Sequence, residues 1–183
     1  YFGLIELICG EENDQHAMVL GIRNSYDKTF PAALAFGSHV FVCDNLAFTG
    51  EVKVSRKHTT FIMRDLPNLV GAAVSNTRLM KENQEFRFEH YQNFKLDQRT
   101  ADHLIIEMLR EGAVNTSRVE AVVGQWDEPA HDFGGRTAWR LFNAVTEVMK
   151  EAPLNDVPPR TIILQSVLDR ATKFTPRLPI EGE

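Results

Sequence analysis

The stretch Arg64-Asp-Leu-Pro-Asn-Leu-Val-Gly-Ala-Ala-Val-Ser-Asn-Thr-Arg-Leu-Met80 decides the fold class, because the hydrophobic period changes there. Asp65 is a cap residue, and Pro67 falls in a first helical turn, where its missing N–H costs little. Leu66, Leu69, Val70, Ala73, Thr77 and Met80 then recur at three- and four-residue steps, the spacing of one helix face. The pattern continues to Phe88 and Tyr91 and predicts one long helix.

Downstream of this stretch the helical period persists. Ala101, Leu104, Ile105, Met108 and Leu109 form a second stripe, closed by Gly112 as a C′ residue. Ser117 and Glu120 have capping-box spacing ahead of Val119, Val122, Val123 and Trp126. Trp139, Phe142, Val145, Thr146 and Met149 mark a fourth helix that ends near Pro153. Ile163, Leu164, Val167, Leu168 and Ala171 mark a fifth, after Pro158-Pro159.

Upstream, up to about Thr60, the chain reads as short β-like runs separated by turn residues: Phe2 to Cys9, His16 to Arg23, Pro31 to Phe36, Ser38 to Cys43 and Glu51 to Thr59. Short connections favour antiparallel hairpins over crossovers. Strands followed by helices predict a single α+β domain over residues 1–183. Its expected architecture is an N-terminal antiparallel β-sheet of about five short strands (1–60) packed with about five C-terminal α-helices (64–175).

The 183 residues are 43% hydrophobic and 25% charged, the composition of a globular domain and not of a disordered or collagen-like chain. At this length a core forms without a disulfide or metal staple. The apolar runs are too short for a membrane span, so no membrane association is expected. The chain opens on Tyr1-Phe2-Gly3-Leu4, with no initiator Met and no charged leader before an apolar core. The expectation is a fragment of a longer protein, with no retained signal peptide. Cys9 and Cys43 both lie in apolar strand-like runs and read as buried reduced thiols of a cytoplasmic protein, with a cross-strand disulfide as the alternative.

The search for chemistry begins with what is missing. Gly134-Gly135-Arg136-Thr137 lacks the spacing and lysine of a phosphate-binding loop and reads as the flexible start of the Trp139 helix. No serine sits in a nucleophile elbow. His39, Cys43 and His58 are donors of the right type for a metal. Strand residues four apart are about 13 Å apart, however, too far for shared coordination without a bend. No metal and no cofactor is expected, and catalytic residues are left unassigned.

Two clusters stand out. With 20 basic and 25 acidic residues the chain carries a net charge of −5, so any attraction to nucleic acid must be local. Between Val52 and Arg64 the four charged residues, Lys53, Arg56, Lys57 and Arg64, are all basic. Strand alternation places Lys53, Ser55 and Lys57 on one face, at the roughly 6.6–6.8 Å spacing that would follow a phosphate backbone. Arg23 and Lys28 would extend the row if their strand lies nearby. The competing reading is an edge strand whose lysines block unwanted pairing. The second cluster is polar and terminates strands: Arg23, Asn24 and Asp27 after one run, Asp44 and Asn45 after another. Turn formation explains such residues. Their convergence into one pocket is the functional alternative, with the carboxylates holding Mg²⁺ and Arg23 a phosphate. Trp139 and Asn143 are assigned structural roles, Asn143 tying its helix to the sheet or a strand end.

Leu20-Gly-Ile-Arg-Asn-Ser-Tyr-Asp27, Phe41-Val-Cys-Asp-Asn-Leu46 and Trp139-Arg-Leu-Phe-Asn-Ala-Val-Thr-Glu147, in this order, resemble domain of unknown function 932. That family is usually labelled phage- or plasmid-like protein. Its second block more often reads Cys-Ser/Asp-Asn-Gly-Leu, whereas Leu46 here follows Asn45 directly and the turn glycine is absent. The resemblance implies carriage on a mobile element and brings no activity.

The leading expectation is therefore a non-catalytic accessory protein that binds single- or double-stranded DNA through Lys53, Ser55, Arg56, Lys57 and Arg64, with homo-oligomerisation open. The alternatives are an interaction module that inhibits a host protein, and a metal-dependent enzyme acting on nucleic acid or a nucleotide.

Overall fold

A helix with an apolar stripe needs neighbours on that side only, whereas one buried almost all round needs them on several sides. Ala138–Met149 is the second kind: Ala138, Trp139, Leu141, Phe142, Asn143, Ala144, Val145, Thr146 and Met149 are all buried. In the computed structural model this helix is the centre of a helical body. The structure describes residues 2–7, 16–23, 32–40 and 45–56 as strands, isolated helical positions between 64 and 75, and the continuous runs 77–153 and 156–177.

Five helices are described in full: α1 (Thr77–Asn93), α2 (Gln98–Glu111), α3 (Val119–Asp127), α4 (Ala138–Met149) and α5 (Val157–Thr172). The central α4 packs against α1, α3 and α5, and α2 packs against α5 and α3. The core contains Phe88, Tyr91, Ile105, Met108, Val122, Trp126, Leu141, Phe142, Leu164 and Leu168. Trp139 and Phe142 stack at 5.5 Å between ring centroids, and Phe88 tilts against both, 4.7 Å from Trp139.

Helix ends follow local chemistry. Asp97 caps α2 by accepting from the Thr100 N–H at 2.7 Å. The Thr100 hydrogen bonds hold its carboxyl below the usual range. Gly112 ends α2 at φ +92°, a left-handed conformation that glycine adopts without steric cost, and its N–H reaches Met108 O. Thr137 caps α4 by accepting from the Arg140 N–H. An isolated antiparallel bridge, Lys95 to Thr137, fastens the end of α1 to the start of α4 through Leu96 N–H to Arg136 O and Ala138 N–H to Phe94 O, both 2.9 Å.

Four strands form an antiparallel sheet in the order β1 (Phe2–Leu7), β2 (His16–Arg23), β3 (Ala32–Val40) and β4 (Asn45–Arg56). Strand β4 ends the sheet order and runs beside α5 and α4.

The expected α+β architecture of about five strands packed with helices is overturned. The runs expected at Pro31 to Phe36 and Ser38 to Cys43 are one strand, β3, which passes through Gly37; a register shift between Ala35 and Gly37 absorbs the break that the glycine suggested. Among the residues whose burial is described, the hydrophobic core is helix on helix: apart from Val19 in β2 and Phe174 just after α5, every buried hydrophobic residue lies on α1–α5 or their connections. Two local expectations also change. Ser117 lies in a 3₁₀ turn, Thr116–Arg118, and α3 starts at Val119 without a side-chain cap, so the capping box does not form. Pro158 and Pro159 lie inside the first turn of α5 and do not precede it.

Phe142 touches three aromatic partners at the centre of this body. Phe142→Ala is expected to cost about 3–5 kcal/mol in urea unfolding followed by circular dichroism, with the cavity adding to the lost transfer free energy.

Candidate nucleic-acid interface and a buried polar centre

Strand register decides which of the sequence-predicted residues meet. Arg23, the last residue of β2, pairs with Phe2 on one side and Ala33 on the other, and Ala33 pairs with Ser55. Arg23 and Ser55 thus share one cross-strand row, two strand spacings or about 9.6 Å apart. Arg56 is one position further along, opposite Ala32, and Lys53 lies opposite Ala35. Arg64 is exposed at a helical position. Lys57 and Lys28 lie outside the described residues.

The polar strand-end cluster is divided by the same register. Asn45 starts β4 opposite Val40, and Val40 pairs with His16, so Asn45 sits at the opposite end of the sheet from Arg23. Seven residue steps along β3 separate the two rows, about 23 Å. Asn24, Asp27 and Asp44 lie outside the described residues. His39 pairs with Ala17 and Leu46, Cys43 and His58 are outside the described residues, and among the described residues no group of His, Cys, Asp and Glu is placed to hold a metal ion.

Trp139 and Asn143 sit within the core of α4. The Asn143 amide donates to Trp139 O of its own helix at 2.9 Å. That bond lets an amide occupy a fully buried helix face, where an unpaired one would cost about 1–3 kcal/mol.

A second centre was not foreseen as a site. Between α1 and α5, the Arg87 guanidinium donates through Nε to both carboxylate oxygens of Asp169 at 3.2 Å, and through Nη1 to Gln84 Oε1 at 2.8 Å. The Tyr91 hydroxyl donates to Asp169 Oδ1 at 2.5 Å and lies 3.2 Å from Gln165 O. Phe174 covers the guanidinium, whose carbon is 5.0 Å from the ring centroid. The Nε2 groups of Gln84 and Gln165 are buried and find no partner among the described residues. Burial, followed by the Asp169 charge, holds the Tyr91 phenol well above its ordinary value of 10.0. The C-terminal segment closes over this region: Asn83 exchanges hydrogen bonds with the Arg177 backbone at 2.9 and 2.8 Å.

A sequence signal for this centre existed. Asn83, Arg87 and Tyr91 recur at four-residue steps on α1, as do Thr161, Gln165 and Asp169 on α5, so polar residues interrupt core-facing positions on both helices. Two such lines become one network only after the helices are docked.

The model of the family described as Domain of unknown function (DUF932) matches residues 5–170. The chain belongs to the DUF932 family. The match reaches from β1 to α5, and so takes in both the cationic end of the sheet and the polar centre. No curated protein and no solved structure matches the chain.

Two outcomes follow for the polar centre. Asp169→Leu alone removes the carboxylate beside the buried Arg87 guanidinium and is expected to cost about 3–5 kcal/mol; Arg87→Met with Asp169→Leu is expected to cost clearly less, measured by urea unfolding. Because the folded-state pKa of Tyr91 is raised, its contribution to stability is present below pH 10.0 and is lost as the pH climbs beyond it. Thermal melts of wild type and Tyr91→Phe should therefore converge above that pH.

Proposed function

We propose that this DUF932 protein is a non-catalytic nucleic-acid-binding accessory protein of a mobile element, with Lys53, Ser55, Arg56, Lys57, Arg64 and Arg23 following a phosphate backbone. The observation that carries the reading is the shared row of Arg23 and Ser55, which brings a cation from β2 to the end of β4 that holds Lys53 and Arg56. A local concentration of cations in a chain of net charge −5 supplies an attraction that the molecule as a whole does not.

The competing explanation of these lysines is protection of a sheet edge. Strand β4 already runs beside α5 and α4. Edge protection and phosphate binding differ in salt dependence, which separates the two explanations.

Phosphate binding releases counterions, so affinity must fall with salt. Three engaged cations on single-stranded DNA give a log–log slope of about −2, a roughly 20-fold loss between about 50 and 200 mM salt. Fluorescence anisotropy with labelled single- and double-stranded DNA reads this directly. Lys53→Glu with Lys57→Glu is expected to abolish binding, and Arg23→Gln to reduce the slope. Salt-independent binding, or no binding at the lowest salt, overturns the reading.

A further inference from the structure

After α5 the chain turns back over α1 at a single residue. Lys173 stands at φ +57° and ψ +32°, and among the described residues it is the one non-glycine with a positive φ. Gly112 makes the same turn after α2 without steric cost, whereas a residue with a Cβ is strained there. The helix side of the turn is tied to α1, because His90 Nε2 lies 3.0 Å from Thr172 O. The turn itself rests on Lys173 N–H to Arg170 O at 3.3 Å and Phe174 N–H to Asp169 O at 2.9 Å.

Beyond this hinge, Phe174–Arg177 lies on α1 by two attachments. The Phe174 ring, 7% exposed, packs 5.4 Å from Phe86 and 5.5 Å from His90, over the Arg87 guanidinium. The Asn83 amide grips the Arg177 backbone, and the Arg177 guanidinium lies 5.2 Å from the centre of the Phe86 ring. Neither attachment reaches the core: Phe174 is buried but lies outside the contiguous cluster that surrounds α4. Release of the segment therefore costs one aromatic ring, one cation–π contact and a few hydrogen bonds. It recovers the strain at Lys173 and the conformational entropy of residues 173–177. Opening of any helix would expose far more apolar surface, so the segment is the cheaper unit to open. What it covers is ionic: the Arg87 and Asp169 side chains are 5% and 18% exposed.

We infer that Phe174–Arg177 is a latch that swings off α1 about Lys173 while all five helices stay folded, and that its closure keeps water from the Arg87–Asp169 pair. The latch is independent of the proposed DNA surface, and its failure would leave that reading untouched.

Hydrogen exchange followed by NMR on the whole chain tests both parts. The Phe174 and Arg177 amides should exchange at least about a hundredfold faster than those of Phe142 and Ala144 in α4, with a weaker dependence on dilute urea, the mark of an opening that exposes little surface. The Arg87 Nε–H should show the same protection as the two latch amides, because water reaches it through the open latch. Asn83→Ala removes both bonds to Arg177 and should speed the exchange of all three groups at least about tenfold. Lys173→Gly changes an exposed position, relieves the hinge, and should slow the three at least about threefold. Should Asn83→Ala fail to fold, Lys173→Gly carries the test alone. Equal protection of the latch amides and α4 overturns the inference, as does a Lys173→Gly variant that exchanges no more slowly than wild type. An Arg87 Nε–H that does not follow the latch amides in the variants overturns the shielding.

Discussion

The near-complete burial of α4 is the constraint on which the helical body depends. Nine residues of this helix are buried, so α1, α3 and α5 must surround it before its apolar surface leaves water. Polar residues survive there because they bond within the helix: Thr146 Oγ1 donates to Phe142 O at 3.0 Å, and Asn143 to Trp139 O. Each of these bonds offsets part of the cost of burying its polar group. The Lys95–Thr137 bridge then fixes where α1 stops relative to where α4 starts, and so sets which α1 residues meet the Trp139–Phe142 stack.

Charged side chains complete this packing at the helix ends. Arg140 reaches from α4 to the last turn of α3 and donates to Trp126 O and Asp127 O at 2.8 and 2.7 Å, carbonyls that the helix itself leaves unpaired. Arg136 and Arg140 both lie 5.6 Å from the Trp126 ring, whose Nε1 donates to Gln98 Oε1. On the other side, the Arg87–Asp169 pair puts ions where desolvation is costly. A shift of α1 on α5 would separate the guanidinium from its carboxylate.

Much of the helical half was legible from period alone. Ala101, Leu104, Ile105 and Met108 are buried as their spacing required, and Gly112 closes α2 in the left-handed conformation. Trp139, Phe142, Val145, Thr146 and Met149 are all buried on α4. Period fails where a short motif has two local solutions. The Ser117–Glu120 spacing fits a capping box, but a 3₁₀ turn takes up Ser117 while Glu120 lies in the first turn of α3. Gly37 was read as a break between strands, whereas an antiparallel ladder takes up such a residue through a register shift.

What the sequence by itself determined are properties of single segments: helix faces, their stops, the cluster of cations from Lys53 to Arg64, and the three blocks that resemble the family to which the chain belongs. Each depends on neighbours a few residues apart, where chain geometry leaves few choices. Only the tertiary structure decided which segments meet. It brought Arg23 into the row of Ser55 and separated it from Asn45, joined Arg87 to Asp169, and paired Arg118 with Glu151. Those pairings join residues distant in sequence. They arise from burying several apolar faces at once, a collective constraint that no local spacing records.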